Sequence, residues 1–161
     1  EGTLPSGREI DPAPDFFIGG ADIPAVLTKD SPPRILEKIR AGAGFVQTQL
    51  CWDLDLIKRY AEGLVEWGVP EQAGVLIGMG PIASVRSANW MRENLFGVVI
   101  PDKIIQRLDE AADAKAEGQA ICIELMQALA DIPGIAGVHL MAPGSGPATL
   151  GNVIRESGLA V

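Results

Sequence analysis

Polar side chains that could bind a ligand are grouped in one short segment, Gln47-Thr48-Gln49. The segment lies in an apolar run, where an unpaired buried amide would cost about 1–3 kcal/mol, so each amide needs a partner. Gln47 and Gln49 point to the same face of a strand, and Gln49 lies at its carboxyl end. Two interpretations stay open for Gln49: a structural amide bonded within the protein, or an amide that orients a ligand by donating and accepting.

Three further side chains could take part in chemistry. His139 is the single histidine and could act as a general base, but Val138 and Leu140 flank it and no serine or cysteine nucleophile is adjacent, which favours a core histidine. Lys38 follows the first predicted strand and is either a solvated lysine or a contact for an anionic phosphate. Asp22, at the end of that strand, is either a polar site residue or a loop cap.

Four strand-then-helix units are predicted to position these residues. The strands are apolar runs, the first of them expected to be buried on both faces, at residues 15–21, 44–50, 73–79 and 135–141. The helices are predicted from Pro32 and Pro33 to about Ala41, from the cap Asp53 to Gly68, from the cap Ser84 to about Leu95, over a long region from Pro101 that divides near Gly118, and around 150–156. A brief segment at 97–100 precedes the long helical region.

Apolar strands alternating with helices indicate an α/β protein with a parallel sheet. A closed barrel takes eight units and about 250 residues, so four units form either a small open sheet or half of a (β/α)8 TIM barrel. Residues 1–14 are predicted to be an arm or the remnant of an upstream segment, and 15–161 the βα domain. An open sheet edge pairs readily with other chains, so we expect a second chain, or a second copy of this one, to cover the free edges.

Composition excludes several classes of function. The chain has 161 residues and a net charge of −8, which disfavours binding to the phosphate backbone of nucleic acids. No apolar run is long enough to span a membrane and no signal segment opens the sequence, so a cytoplasmic location is the default expectation. Cys51 and Cys122 are expected to be free thiols, and no structural metal is expected. No glycine-rich dinucleotide or triphosphate motif is present.

The order and spacing of four sequence blocks say more about the kind of protein than composition does. The blocks are D-F-F-I-G-G-A at 15–21, K-I-R-A-G-A-G-F-V-Q-T-Q at 38–49, G-M-G-P-I at 78–82 and G-I-A-G-V-H-L-M at 134–141. Together they resemble the carboxyl-terminal half of the methylenetetrahydrofolate reductases, from about residue 15 to the end. The resemblance implies a TIM barrel that moves a hydride from NADH or NADPH through FAD to 5,10-methylenetetrahydrofolate, giving 5-methyltetrahydrofolate for one-carbon and methionine metabolism.

The resemblance also implies roles for three residues. Gln49 corresponds to the family's glutamine that meets the folate pterin and the nicotinamide over the flavin, and it is the predicted substrate-binding residue. Lys38 corresponds to a lysine of the FAD site, and Ala21 to a small residue at the flavin-side strand end. No catalytic residue is assigned. Ser87 and Ser145 stand where the family has a glutamine and an arginine, so the orientation of the folate is left open.

The family's general-acid glutamate and its flavin loop belong to the amino-terminal half of the barrel. The resemblance therefore implies that hydride transfer needs that half from another subunit. A second hypothesis is a non-catalytic folate-binding or complex-forming subunit, whose partner supplies both the flavin and the acid.

Overall fold

The computed structural model describes residues 2–141 and 145–159. Its strands are β1 (Gly19–Asp22), β2 (Phe45–Leu50), β3 (Gly74–Met79) and β4 (Gly137–Leu140). Its helices are α1 (Arg34–Arg40), α2 (Leu54–Glu66), α3 (Val85–Asn94), α4 (Asp102–Glu110), α5 (Ala114–Leu129) and α6 (Pro147–Ser157). In the described residues no helix is long and apolar enough to cross a membrane.

The strands form one parallel sheet in the order β1-β2-β3-β4, which confirms the predicted α/β class. Each strand lies beside the next in sequence, with a helical crossover between them, as in a barrel wall. Within the described residues β1 pairs only with β2 and β4 only with β3, so the outer edges of both are free.

Local sequence explains where most helices begin and end. Asp53 caps α2 by accepting hydrogen bonds from two backbone amides, and Ser84 forms a capping box with Ser87 at the start of α3. Gly68 follows α2 with φ +62°, a left-handed conformation that suits glycine as a stop. The predicted boundaries of β2 and β3 hold to within one residue.

The apolar core covers one face of the sheet. Val46 and Val75 are register partners on β2 and β3, and both are buried in the cluster formed with the helices. Their sequence neighbours point the other way, and Gln47 on that side is exposed. We call this second side, which carries Ala21, Gln47 and Leu76 in register, the open face.

The prediction for the first strand was wrong in extent and burial. The strand begins at Gly19 rather than Asp15, and Phe16, Phe17 and Ile18 are exposed. The cause is that β1 is an edge strand and its open face is uncovered, so apolar residues there lack the neighbours that a central strand has. Phe17 instead stacks on Phe45 of β2, with ring centroids 5.2 Å apart.

The long helical region divides at a different place from the one predicted near Gly118. Helix α4 ends at Glu110, and Asp113 caps α5 by accepting from the amides of Lys115 and Ala116. Gly118 lies inside α5, where a Cβ would come within 1.8 Å of the carbonyl oxygen of Ile82. The glycine is thus a packing residue that lets α5 approach the loop after β3.

The ends of the chain also differ in detail from the predicted elements. The last strand is shorter than 135–141, and the last helix begins at Pro147 rather than near Leu150. Residues 142–144 of the loop between them lie outside the described residues. Near the amino terminus, the predicted arm forms an isolated antiparallel bridge between Thr3 and Glu9.

Candidate functional site

The carboxyl ends of all four strands meet at one edge of the sheet because the strands are parallel. This is the edge where α/β proteins bind their ligands. The strands end there at Asp22, Leu50, Met79 and Leu140. Gln49, Asp22 and His139, which the sequence singled out, lie on three of these four strands.

A bulge near the end of β2 shapes this edge. Gln47 pairs with Leu76 but Leu50 pairs with Gly78, so two residues of β2 lie opposite one of β3. At the bulge a side chain replaces a backbone acceptor of the sheet: Thr48 Oγ1 accepts a hydrogen bond from the amide of Gly78 at 2.9 Å. Thr48 is buried, so the polar residue within the apolar run has the partner that its burial requires.

Gln49 is held at the bulge by two hydrogen bonds to the backbone. Its Nε2 donates to the carbonyl oxygen of Phe96 at 2.9 Å, and its Oε1 accepts from the amide of Leu50 at 2.9 Å. A carboxamide has two N–H donors and two acceptor lone pairs, so one of each is still available on this half-buried side chain. Gln49 is therefore fixed in orientation and still able to bind a ligand.

The carbonyl that accepts from Gln49 belongs to Phe96, the residue just before the segment predicted at 97–100. Val99 pairs with Cys51 in an isolated parallel bridge just beyond β2, so the segment prolongs the sheet edge. At Gly97, which has φ +79°, a Cβ would come within 2.8 Å of the side chain of Ile23, the residue that follows β1. The ring of Phe96 is 87% exposed beside these contacts. Sequence reasoning missed Phe96 because its role is carried by its backbone carbonyl.

His139 lies on β4 in register with Gly78, so it is part of the sheet as predicted. Its Nε2 is 2.7 Å from the carbonyl oxygen of Thr48, two strands away. A carbonyl only accepts, so this ring nitrogen carries the hydrogen and donates it. Its neighbours Val138 and Leu140 pack against the apolar core, so the half-buried ring of His139 points to the open face and not into the core that the sequence favoured. The ring contacts backbone rather than a nucleophile.

Lys38 reaches the end of β1 from helix α1. Its Nζ donates to the carbonyl oxygen of Ala21 and lies 3.8 Å from Asp22 Oδ1. Tyr60 of α2 donates to the other oxygen of Asp22 at 2.6 Å. The carboxylate is thus paired and hydrogen-bonded, and the lysine faces a negative charge of this chain. The sequence analysis did not single out Tyr60, because its partner Asp22 lies 38 residues away in the chain.

Both cysteines are buried free thiols, as predicted. Burial raises the pKa of Cys51 to about 11 and that of Cys122 to about 12. The described residues contain no group of three histidine, cysteine or carboxylate side chains arranged to hold a metal ion.

The sequence model of one protein family, methylenetetrahydrofolate reductase, matches residues 16–150. The chain belongs to the methylenetetrahydrofolate reductase family. The resemblance that the sequence blocks carried is therefore confirmed. No curated protein is significantly similar to the chain in sequence.

Among solved structures, a protein from Clostridium thermocellum has the same fold, with a TM-score of 0.53 and 17% sequence identity. It is described as an uncharacterized protein that binds two copies of 5-methyl-5,6,7,8-tetrahydrofolic acid. The similarity covers 77% of this chain but 45% of the other. This chain therefore spans less than half of its structural neighbour, and its parallel βα units are equivalent to half of a TIM barrel.

The flavin contacts that the family resemblance implies fit the structure only in part. Ala21 is exposed on the open face in register with Gln47, and its small side chain leaves room beside the strand. The Lys38 amine already donates to the Ala21 carbonyl and lies 3.8 Å from Asp22, so its attraction for the diphosphate of FAD is reduced. The residues present therefore suit a flat ring on the open face better than a diphosphate at the end of β1.

Proposed function

We propose that this chain is the folate-contacting half of a barrel of the methylenetetrahydrofolate reductase type, with Gln49 as the residue that binds the pterin. The observation that carries the proposal is the state of the Gln49 amide: it is anchored to Phe96 and Leu50, yet keeps one donor and one acceptor free at a strand end. The family match and the folate bound by the structural neighbour support the same ligand class.

A neutral amide suits a pterin for a physical reason. The pterin edge offers donors and acceptors side by side, and a carboxamide matches such an edge with one group of each kind. A carboxylate would offer acceptors only and would lose its hydration on binding, at a cost that a neutral amide avoids. Because Gln49 is already fixed by the protein, less side-chain freedom is lost when the ligand binds.

The reaction proposed for the assembled barrel is the reduction of 5,10-methylenetetrahydrofolate to 5-methyltetrahydrofolate, with NADH or NADPH as hydride donor. FAD, when bound, supplies the hydride chemistry. The contribution of this chain is to position: Gln49 orients the pterin, and Ala21 keeps the open face free of a bulky side chain. Positioning of this kind can supply a large share of a catalysed rate.

The second candidate is a non-catalytic folate-binding or complex-forming subunit. The contacts of Lys38 favour it, because the lysine that the resemblance assigns to the FAD site donates to the Ala21 carbonyl and lies 3.8 Å from Asp22 of the same chain.

We also propose that another polypeptide covers the free edges of β1 and β4. Unpaired strand edges favour this, since they are pairing sites for other chains. An apolar groove of about 630 Å³ lies next to β4, lined among others by Met126, Leu129, Val138, Leu140, Leu150 and Ile154. Light scattering checks this proposal: a protein that stays monomeric at every concentration, alone and with the amino-terminal half of a relative, contradicts it.

The experiment that tests the function is a calorimetric titration of the full chain with 5-methyltetrahydrofolate. We expect Gln49→Ala to weaken binding about 10-fold, equivalent to about 1.4 kcal/mol. The matched control is Gln106→Ala, which removes an exposed helical glutamine of α4 that donates to Glu110 and should leave the affinity unchanged. A wild-type chain that does not bind the folate, or a Gln49→Ala variant that binds normally, overturns the proposal.

The visible spectrum separates the two candidates. A purified protein that carries FAD in a one-to-one ratio supports the reductase. A colourless protein that still binds the folate supports the non-catalytic subunit.

A further inference from the structure

The hydrogen bond of His139 passes over a whole strand. His139 belongs to β4 and Thr48 to β2, and β3 lies between them, yet Nε2 and the Thr48 carbonyl oxygen are 2.7 Å apart. In a regular parallel sheet that carbonyl would accept a hydrogen bond from β3. The bulge turns the Thr48 carbonyl away from β3, and the imidazole of His139 on β4 donates to it in place of a β3 amide.

Gly78 makes this contact possible. It lies on β3 directly between the two groups, in register with His139. A Cβ at this position would be 2.5 Å from the Thr48 carbonyl oxygen and 2.7 Å from His139 Nε2. Such distances are too short for carbon, so only glycine lets the ring reach across.

The bulge is thus stabilised by residues of three strands. Thr48 Oγ1 accepts a hydrogen bond from the Gly78 amide, and His139 donates one to the Thr48 carbonyl. Gly78 has no side chain that would block the second contact. The Thr48 carbonyl and the backbone nitrogen of Gln49 belong to the same planar peptide group. Holding one end of the group therefore fixes the direction in which the Gln49 side chain leaves the strand.

We propose that His139 is a positioning residue for Gln49. It holds the Thr48–Gln49 peptide at the bulge and so aims the Gln49 amide, through its contacts to Phe96 and Leu50, at the ligand. The ligand part of this inference rests on the proposed function, in which Gln49 binds the pterin. His139 itself needs no contact with the ligand.

A double-mutant cycle measures this coupling in the affinity for 5-methyltetrahydrofolate. His139→Leu removes the donor and should weaken binding about 10-fold in the wild-type background. In a Gln49→Ala background the same change should cause less than about 2-fold loss, because the side chain that it positions is absent. Losses that simply multiply in the double variant overturn the proposal.

Rescue by a conservative variant separates positioning from general stability. In His139→Gln the amide nitrogen is as many bonds from Cβ as Nε2 of histidine, so it can still donate to Thr48. We expect this variant to bind the folate within about 3-fold of the wild type. If His139→Leu does not fold, His139→Asn, whose amide is one bond too short, replaces it in the cycle. Equal losses in His139→Gln and in the variants without a reaching donor contradict the proposal.

A measurement without ligand keeps this inference distinct from the proposed function. The side-chain amide signals of Gln49 in a ¹⁵N-labelled full chain report its hydrogen bond to Phe96. They should move towards the positions of a free amide in His139→Leu and stay in place in His139→Gln. A wild-type chain that fails to bind folate overturns the proposed function alone, whereas unchanged Gln49 signals in His139→Leu overturn the positioning role.

Discussion

Tyr60 donates a hydrogen bond to Asp22 over 2.6 Å and thereby joins helix α2 to the end of strand β1. Tyr60 is fully buried, and the side chain of Asp22 is 17% exposed. Burial, then the neighbouring negative charge and the hydrogen bond to it, raise the pKa of Tyr60 well above its ordinary value of about 10. The phenol therefore stays protonated in the folded protein at alkaline pH.

The first prediction concerns stability at high pH. A group whose pKa is raised on folding contributes stability that is present below its unfolded pKa and is lost as the pH rises towards its folded pKa. The free energy of unfolding should therefore fall above about pH 10. Tyr60 is the single tyrosine of the sequence, so ultraviolet absorbance of tyrosinate reports it alone. We expect tyrosinate to appear only together with unfolding, as followed by circular dichroism.

Tyr60→Phe is the control for this titration. It removes a hydrogen bond to a charged group and should lower the free energy of unfolding by about 1.5–3 kcal/mol at neutral pH. Its stability should then be flatter with pH above about 10, because the titrating group is gone. A tyrosinate signal near the ordinary pKa in a fully folded wild-type protein would refute the assignment.

The second prediction concerns the cysteines. Cys51 and Cys122 are both 0% exposed, and burial is the main cause that raises the pKa of each thiol. Since the thiolate is the reactive form, a thiol reagent at about pH 8 should label the native chain only as fast as it unfolds. Labelling in denaturant should then modify both thiols at once. Rapid modification of either cysteine in the native protein contradicts this prediction.

Local signals in the sequence were enough for the alternation of strands and helices, the caps Asp53 and Ser84, and the bounds of β2 and β3. These features depend on residues close together in the chain. The extent of β1 could not be predicted in this way, because whether Phe17 is covered depends on what lies beyond an edge strand. The break before Asp113 was missed since Gly118 was taken as the stronger interruption.

The sequence singled out the residues of the candidate site but not their contacts. Gln49 and His139 stood out as polar groups in apolar strands, and the structure places both at the bulge of β2. Their partners could not be read from the sequence, because the Phe96 carbonyl and the Thr48 carbonyl are 47 and 91 residues away from them in the chain. The two interpretations of Gln49 are compatible, since its amide is anchored and keeps one donor and one acceptor free.

The third prediction uses two helical glycines. Gly118→Ala places a Cβ within 1.8 Å of the Ile82 carbonyl oxygen, so α5 must move away from the loop that it packs on. We expect a loss of about 2–4 kcal/mol in urea unfolding, as for other overpacked sites. Gly151→Ala in α6 is the matched control, because among the described residues its Cβ would meet the end of the Arg155 side chain at 3.5 Å, an ordinary contact distance. It should gain up to about 1 kcal/mol from helix propensity. Equal effects in both glycines contradict this packing role.

The last prediction is that Gln49→Glu affects binding and stability together. The new carboxylate can still accept from the Leu50 amide, but at neutral pH it turns an acceptor oxygen towards the Phe96 carbonyl in place of a donor. The oxygen that faces Phe96 then lacks a donor, and we expect a loss of about 1–3 kcal/mol in the free energy of unfolding. Folate affinity should fall about 10-fold or more, because the amide's donor to the pterin is also gone.

The pH dependence of this variant identifies the contact. Once protonated, the carboxyl group introduced by Gln49→Glu can donate its hydroxyl hydrogen to the Phe96 carbonyl. The folded state should therefore bind the proton more tightly than the unfolded chain, in which the pKa of a glutamate is about 4.3. A pKa raised on folding adds stability below the unfolded value, so the deficit relative to the wild type should shrink as the pH falls from 7 to about 4. Urea unfolding of both proteins at these two pH values measures it. A deficit that does not change with pH would show that the Gln49–Phe96 hydrogen bond is not the interaction lost.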